Sequence, residues 1–315
     1  MVRPGLGRAA DWAHLLGSPM GLTDWERHRM TAQTPVAPAD RELIEHIEER
    51  ALFARLETVR LISIAKTGHY ASGFSCAEIL ATLYYGVMRL RRGEPDWPDR
   101  DRFLFGKGHA AATLYPLLAD WGFFDAAELD EYTRLGNAFG DHPDMTRIPG
   151  IDFSSGSLGH ALSAGTGMAM GGRLQGRSYT TFVLLGDGEL HEGQVWEAAL
   201  GAAHHRLGRL VAIVDRNDHS LDGRIDGVTG IEPLLEKWRA FGWQTHEVDG
   251  HDVASLLPLL RSLAEDTGRD RPAVVVANTV KGKGISYMES EFGWHLGWLA
   301  ERDEANALAE LRGAR

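Results

Sequence analysis

The chain has 315 residues, of which 43% are apolar and 24% charged, and its formal net charge at pH 7 is −11. This composition is typical of a globular protein with a large core, in one large domain or two small ones. The negative charge, without a basic patch, argues against nucleic acid binding. The apolar runs are too short to span a membrane and the N-terminus has no export signal core, so we expect a cytoplasmic protein without nucleic acid or membrane partners.

The pattern of the chain changes at about residue 40. Residues 1–39 contain scattered prolines and tryptophans without apolar periodicity, which predicts an irregular N-terminal extension. Residues 40–315 alternate between helix-like and strand-like stretches, which predicts an α/β domain with a parallel sheet flanked by helices.

Two helices are predicted at the start of this domain. The first begins at Asp40, a plausible cap, and runs to residue 65, and the second covers about 76–90 with Ser75 as its cap. The segment GHYASG between them reads as a loop that carries His69. Cys76, the single cysteine, is predicted to be a buried apolar residue without a disulfide partner.

The stretch 180–223 carries the strongest pattern. TTFVLLG predicts a buried strand, the turn Gly186-Asp187-Gly188 follows, then a helix over 192–207 and a second strand, LVAIVD. A strand–helix–strand unit of this length predicts parallel strands, whose carboxyl ends form the usual ligand edge. Asp187 and Asn217 follow the two strands, and carboxylate and amide oxygens suit a hard cation such as Mg²⁺.

This text resembles the thiamine diphosphate motif of thiamine-dependent enzymes, and GDGELHEGQVWEAALGAAHHRLGRLVAIVDRN is similar to the transketolase family in particular. The resemblance implies thiamine diphosphate as cofactor, with Mg²⁺, or Ca²⁺ or Mn²⁺ in its place, held by Asp187, Asn217 and the backbone carbonyl of His219. It implies backbone contacts to the cofactor from Gly188 and from the turn that contains Gly156 and Leu158.

Four further motifs resemble the same family and each contains one histidine. They are TGHYASGFSCAEILATLYY with His69, KGHAAATLY with His109, GDHPDM with His142, and FGWHLGWL with His295. The resemblance implies that His109 and His295 lie between the diphosphate and the reaction centre, and that His69 and His142 contact hydroxyls of a ketose donor. Tyr70 and Leu296 depart from the family pattern beside two of these histidines.

Histidines suit this chemistry because cleaving a ketose requires removing a hydroxyl proton and returning one later. Imidazole titrates near neutral pH, and acid–base catalysis of this kind typically contributes about 10²–10⁴-fold in rate. The resemblance also implies that Glu192 and Glu197, on the helix after the GDG turn, face a partner and couple two cofactor sites. A solvated first turn stabilised by the helix dipole is the alternative for these two residues.

Compared with a full-length transketolase, the sequence ends before the domain that carries the pyrimidine-binding glutamate. We therefore expect an N-terminal subunit of a split transketolase that transfers a two-carbon ketol unit from a ketose phosphate to an aldose. Its expected partner is a C-terminal subunit with the pyrimidine-binding domain, in a heterotetramer. Two alternatives stay open: half of another thiamine-dependent carboligase or dehydrogenase, or a non-catalytic cofactor-binding assembly subunit.

Overall fold

A computed structural model describes residues 38–313. The irregular extension predicted for residues 1–39 lies outside the described residues, apart from residues 38 and 39, with which the first helix begins. No helix in the described range is long and apolar enough to cross a membrane.

The centre of the fold is a parallel sheet of five strands in the order β1-β2-β3-β5-β4. The strands are β1 (Arg102–Phe105), β2 (Thr181–Gly186), β3 (Leu210–Arg216), β4 (Gln244–Asp249) and β5 (Ala273–Asn278). β2, β3 and β5 are almost continuously buried and rich in branched apolar residues, as expected for strands covered on both faces. The predicted α/β fold with a parallel sheet is confirmed.

Ten α-helices flank the sheet within the described range. They are α1 (Pro38–Ala65), α2 (Tyr70–Ser75), α3 (Ala77–Thr82), α4 (Ala111–Asp120), α5 (His160–Leu174), α6 (Gly193–His204), α7 (Ile225–Val228), α8 (Leu234–Ala240), α9 (Val253–Glu265) and α10 (Glu301–Gly313). Alternate residues of each strand enter opposite layers, so that Phe182 and Leu184 pack with α1 and α4 while Val183 and Leu185 pack with α5 and α6.

Three predictions near the start of the domain need correction. The first helix begins at Pro38, so Asp40 lies in its first turn and is not its cap. GHYASG is not a loop, because its residues from Tyr70 onward begin α2, whose six residues are all buried. A buried backbone must satisfy its own hydrogen bonds, and a helix does so locally.

The second predicted helix is also divided differently. Ser75 ends α2 instead of capping α3, and its hydroxyl donates a 2.6 Å hydrogen bond to the Asp215 carboxylate on the sheet. After α3 the chain forms a π-helical turn over Leu83–Val87, and regular helix does not continue to residue 90. Cys76 is fully buried as predicted, and burial raises the pKa of its thiol to about 12.

Candidate active site

The carboxyl ends of β2 and β3 bring the predicted cation ligands to one place. Gly186 pairs with Asp215 in the sheet register, so Asp187 and Asn217 leave the sheet at nearly the same level. The Asp187 carboxylate accepts hydrogen bonds from the backbone N–H of Gly188 at 2.8 Å and of Asp218 at 2.6 Å. The carboxylate of β2 is thereby fixed directly against the loop that follows β3.

The donors at this edge suit a hard cation. They comprise the carboxylate of Asp187, the amide oxygen of Asn217 and the carbonyl of His219, all on residues that are at most 8% exposed. Burial, and then the charge of Asp215, raises the pKa of Asp187 to about 7, as expected for a carboxylate that lacks a close countercharge. No group of three or more His, Cys, Asp or Glu side chains in the described range could hold a metal, so these oxygens are the candidate set.

The four predicted histidines form one cluster. The ring centroid of His69 lies 5.0 Å from that of His109, 6.4 Å from that of His142 and 5.2 Å from that of His295. His109 and His295 are 5.5 Å apart. The chain therefore brings imidazoles from four separate segments together, with His69 in contact with the other three.

Two of these imidazoles are held neutral by their surroundings. Burial, followed by the charge of Lys107, lowers the pKa of His109 well below its usual value. Burial and Lys281 lower the pKa of His295 to about 3. The Lys281 ammonium lies 3.1 Å from Nδ1 of His295 and also donates to the carbonyl oxygens of Ser220 at 3.0 Å and His219 at 3.4 Å. This lysine therefore links the histidine cluster to the candidate cation edge.

One of the predicted glycine turns, at Gly156, comes close to the cluster. Gly156 has a φ of +147°, and a Cβ added there would lie 3.2 Å from the His142 ring. The neighbouring Ser155 hydroxyl and the Ser72 hydroxyl are buried without a hydrogen-bond partner among the described residues. Unpaired buried hydroxyls of this kind fit a site that receives a polar ligand. Leu158 is partly exposed beside Gly156, and Gly188 begins the turn after Asp187.

The sequence analysis missed a buried ion pair, which lies at the carboxyl end of β3 next to the site. The Lys107 ammonium contacts the Asp215 carboxylate, with side chains 2% and 0% exposed, and it donates to the Ser72 carbonyl at 2.7 Å. Burial alone would lower the pKa of Lys107, but Asp215 reverses the effect and raises it. The sequence signal for this pair was Asp215, a charged residue at the end of the apolar run LVAIVD. Its partner Lys107 is distant in sequence, so the sequence did not indicate it.

Glu192 and Glu197 are both exposed, at the N-terminal end of α6 and on its outer face. Both therefore lie outside the histidine cluster's buried surroundings, where a partner chain can reach them. Their predicted coupling role stays a prediction.

A parallel sheet with oxygen donors at its carboxyl edge, buried lysines and clustered histidines defines an α/β domain with a polar ligand site at that edge. The family model described as the thiamine diphosphate binding domain of transketolase matches residues 48–313. The chain therefore belongs to the transketolase family and carries its thiamine diphosphate-binding domain.

Individual relatives agree with this assignment. The chain is 37% identical over 265 residues to the 6-deoxy-6-sulfo-D-fructose transketolase subunit SqwG of a Clostridium species, covering 84% of this chain and 96% of that protein. It is 37% identical to one subunit of the apulose-4-phosphate transketolase of Phocaeicola vulgatus, covering 85% of this chain and 94% of that protein. The solved transketolase of Leishmania mexicana superimposes with a TM-score of 0.78 at 30% identity, covering 84% of this chain but 41% of that one. These relatives are named as transketolases or transketolase subunits, which are transferases.

Proposed function

We propose that the protein is the diphosphate-binding subunit of a two-component, cytoplasmic transketolase that depends on thiamine diphosphate and Mg²⁺. The observation that carries the proposal is the convergence of His69, His109, His142 and His295 beside the carboxyl edge of the sheet. A ketol transfer needs several groups that move protons around hydroxyls, and a domain that only held a cofactor would not need four imidazoles at one point.

Separate residues of this chain would bind the cation and the cofactor. Asp187, Asn217 and the His219 carbonyl would hold Mg²⁺, and the backbone at Gly188 and at Gly156 to Leu158 would contact the cofactor. Thiamine diphosphate, when bound, supplies the carbanion-stabilising chemistry of the reaction. Burial lowers the pKa of Lys281 to about 8, so its ammonium is still largely charged at neutral pH. That charge favours an anionic group beside this edge.

The histidines would handle protons and hydroxyls. His109 and His295 are neutral near pH 7, so each can donate one hydrogen bond and accept another at the reaction centre. His69 and His142 would contact the hydroxyls of a ketose phosphate donor, from which a two-carbon unit passes to an aldose.

We propose the domain boundary at about residue 40, with residues 40–315 as one domain.

The proposed partner is a C-terminal transketolase subunit that carries the pyrimidine-binding domain, in a heterotetramer. The two relatives named as subunits match this chain over nearly their whole lengths, which supports a two-component enzyme. The exposed Glu192 and Glu197 would lie at the contact between subunits and couple the cofactor sites.

The test is reconstitution. The tagged chain is purified from its source cell with Mg²⁺ and thiamine diphosphate, its partner is identified by mass spectrometry, and the two are co-expressed. Ketol release is then measured with xylulose 5-phosphate, fructose 6-phosphate, apulose 4-phosphate and 6-deoxy-6-sulfofructose. We expect transfer by the complex and almost none by the single chain. Efficient transfer by the single chain, or none by the complex with any donor, would contradict the proposal.

Asp187→Ala tests the cation site separately, since it should abolish metal-dependent binding of thiamine diphosphate measured by calorimetry. Asp226→Ala, a change at an exposed aspartate paired with Arg224, is the matched control and should leave binding unchanged. Unchanged affinity in Asp187→Ala would exclude this residue as the metal ligand.

A further inference from the structure

Within residues 38–313, one carboxylate contacts the histidine cluster. Oδ2 of Asp141 lies 3.2 Å from Nδ1 of His69, whose side chain is 12% exposed. That nitrogen is buried and, at the orientation of the ring in the structure, makes no hydrogen bond to any described residue. A buried ring nitrogen without a partner is costly, so the nearby carboxylate is the group that can satisfy it after a small rotation of the ring.

Asp141 is itself held in place by buried aromatic side chains. Burial raises the pKa of Tyr132 well above its usual value, so its neutral hydroxyl donates to Oδ1 of Asp141 at 3.3 Å. Tyr115 donates a 2.9 Å hydrogen bond to the carbonyl of Gly140, the preceding residue. The two tyrosine rings pack edge to face with centroids 6.2 Å apart. Tyr132 and Tyr115 therefore hold the Asp141 carboxylate and its backbone in position.

The charge state of Asp141 fits this arrangement. Burial raises the pKa of the carboxyl, but the contacts with His69 and His142 outweigh burial and leave the pKa below its usual value. Asp141 is accordingly an anion at neutral pH. An anionic acceptor beside Nδ1 favours the tautomer that carries its proton on that nitrogen, which leaves Nε2 unprotonated.

We propose that Asp141 is a positioning residue that fixes His69 as a base, with Nδ1–H directed to the carboxylate and Nε2 free to accept a proton from a hydroxyl of the donor ketose. In the step itself, the hydroxyl proton passes to Nε2 and the oxygen forms the carbonyl of the released aldose. The electron pair of the broken carbon–carbon bond stays with the two-carbon unit. Asp141 stabilises the resulting imidazolium and does not take the proton, as in other carboxylate–histidine pairs.

His109 and His295 lack this support, whereas His142 also interacts with the charge of Asp141. Near His295 the close charged group is the Lys281 ammonium, and near His109 it is Lys107. Burial first, and then the neighbouring lysine, lowers the pKa of both imidazoles, which makes them poor proton acceptors. Among the described residues of the cluster, His69 is the histidine whose ring nitrogen lies within 3.2 Å of a carboxylate, so the geometry assigns it the accepting role.

The assignment of a catalytic step rests on the proposed function, but the tautomer does not, so the first measurement is made on the full chain alone. Ring nitrogen chemical shifts of ¹⁵N-histidine-labelled protein, with the His69 signals assigned through His69→Gln, report which nitrogen carries the proton. We expect the Nδ1–H form in the wild type, and its loss in Asp141→Asn. Asp130→Asn removes an exposed carboxylate that pairs with Arg60 and should leave the tautomer unchanged.

The second measurement uses the reconstituted enzyme. Asp141→Asn, which keeps the acceptor for Tyr132, should lower kcat for the donor about ten- to a hundredfold with a smaller change in KM, while Asp130→Asn stays within about twofold. Because Asp141 acts through His69, Asp141→Asn should cause no further loss in the His69→Gln background.

Each outcome decides a different point. An Nε2–H tautomer in the wild type, an unchanged tautomer in Asp141→Asn, or additive losses in the double variant would overturn the positioning role. Absence of ketol transfer by the wild-type complex, with the expected tautomer present, would instead overturn the proposed function and leave the pairing of Asp141 with His69 established.

Discussion

Replacing Lys107 with methionine tests how far the buried ion pair supports the domain. Lys107→Met keeps most of the side chain's length and removes its charge, so the Asp215 carboxylate loses its cation. It retains the hydroxyl of Ser75 at 2.6 Å and the hydroxyl of Thr279 as donors. Removing one partner of a buried pair leaves an uncompensated charge and typically costs about 3–5 kcal/mol of folding free energy.

The assay is the free energy of unfolding from urea titration, with a thermal melt beside it. A loss of about 3–5 kcal/mol corresponds to a fall in melting temperature of roughly 6–20 °C for a domain of this size. Arg60→Met is the control, because it breaks an ion pair with Asp130 whose side chains are 37% and 66% exposed. Exposed pairs of this kind contribute about 0–1 kcal/mol.

A double-mutant cycle separates the pair from the general cost of losing a lysine. Asp215→Asn combined with Lys107→Met removes both charges, so the double variant should be destabilised by clearly less than the sum of the single variants. The reasoning would be refuted if Lys107→Met cost no more than the Arg60→Met control, or if the two losses were simply additive.

Two further predictions concern the cofactor edge. Because Asp187 has a pKa of about 7 without metal and must be ionised to bind a cation, Mg²⁺ affinity should fall by up to about tenfold per pH unit below pH 7 and level off above it. Calorimetry in buffers of different ionisation enthalpy should show proton release on binding, and a flat affinity between about pH 5.5 and 7 would contradict this pKa. Gly156→Ala should displace the His142 ring and lower kcat/KM for the donor by about tenfold, since the new Cβ lies 3.2 Å from that ring at a φ of +147°. Gly136→Ala, with a φ of +92° and no atom within 4 Å, controls for backbone strain, and equal losses in both variants would exclude displacement of His142 as the cause.

The sheet was predictable from the sequence because local composition determines it. Runs such as TTFVLLG and LVAIVD are too apolar and too short for anything but buried strands, and the helix between them makes the strands parallel. Once the strands are parallel, Asp187 and Asn217 must emerge at the same edge. The placement of these two residues therefore follows from the order and direction of the strands alone.

The helical state of GHYASG was not predictable in the same way. Its glycines and serine favour a turn locally, and burial of all six α2 residues overrides that preference. The ion pair of Lys107 with Asp215 joins residues 108 positions apart, and no periodic pattern records such a contact. The contact of Asp141 with His69 has the same origin, since it depends on where the segment after α4 returns to the start of α2.

The two halves of the site differ in how they are held, and this difference bears on specificity. Asp187, Asn217 and Lys107 stand directly at strand ends, where sheet register fixes them. His142 and Asp141 lie in a long segment between residues 132 and 159 that has no regular helix or strand and is fixed by contacts such as those of Tyr115 and Tyr132. Loop residues on a rigid scaffold can change without disturbing the core. Relatives that act on different donors should therefore share the strand-end residues, together with His142 and the turn from Gly156 to Leu158 that match the family motifs, and should differ elsewhere in this segment.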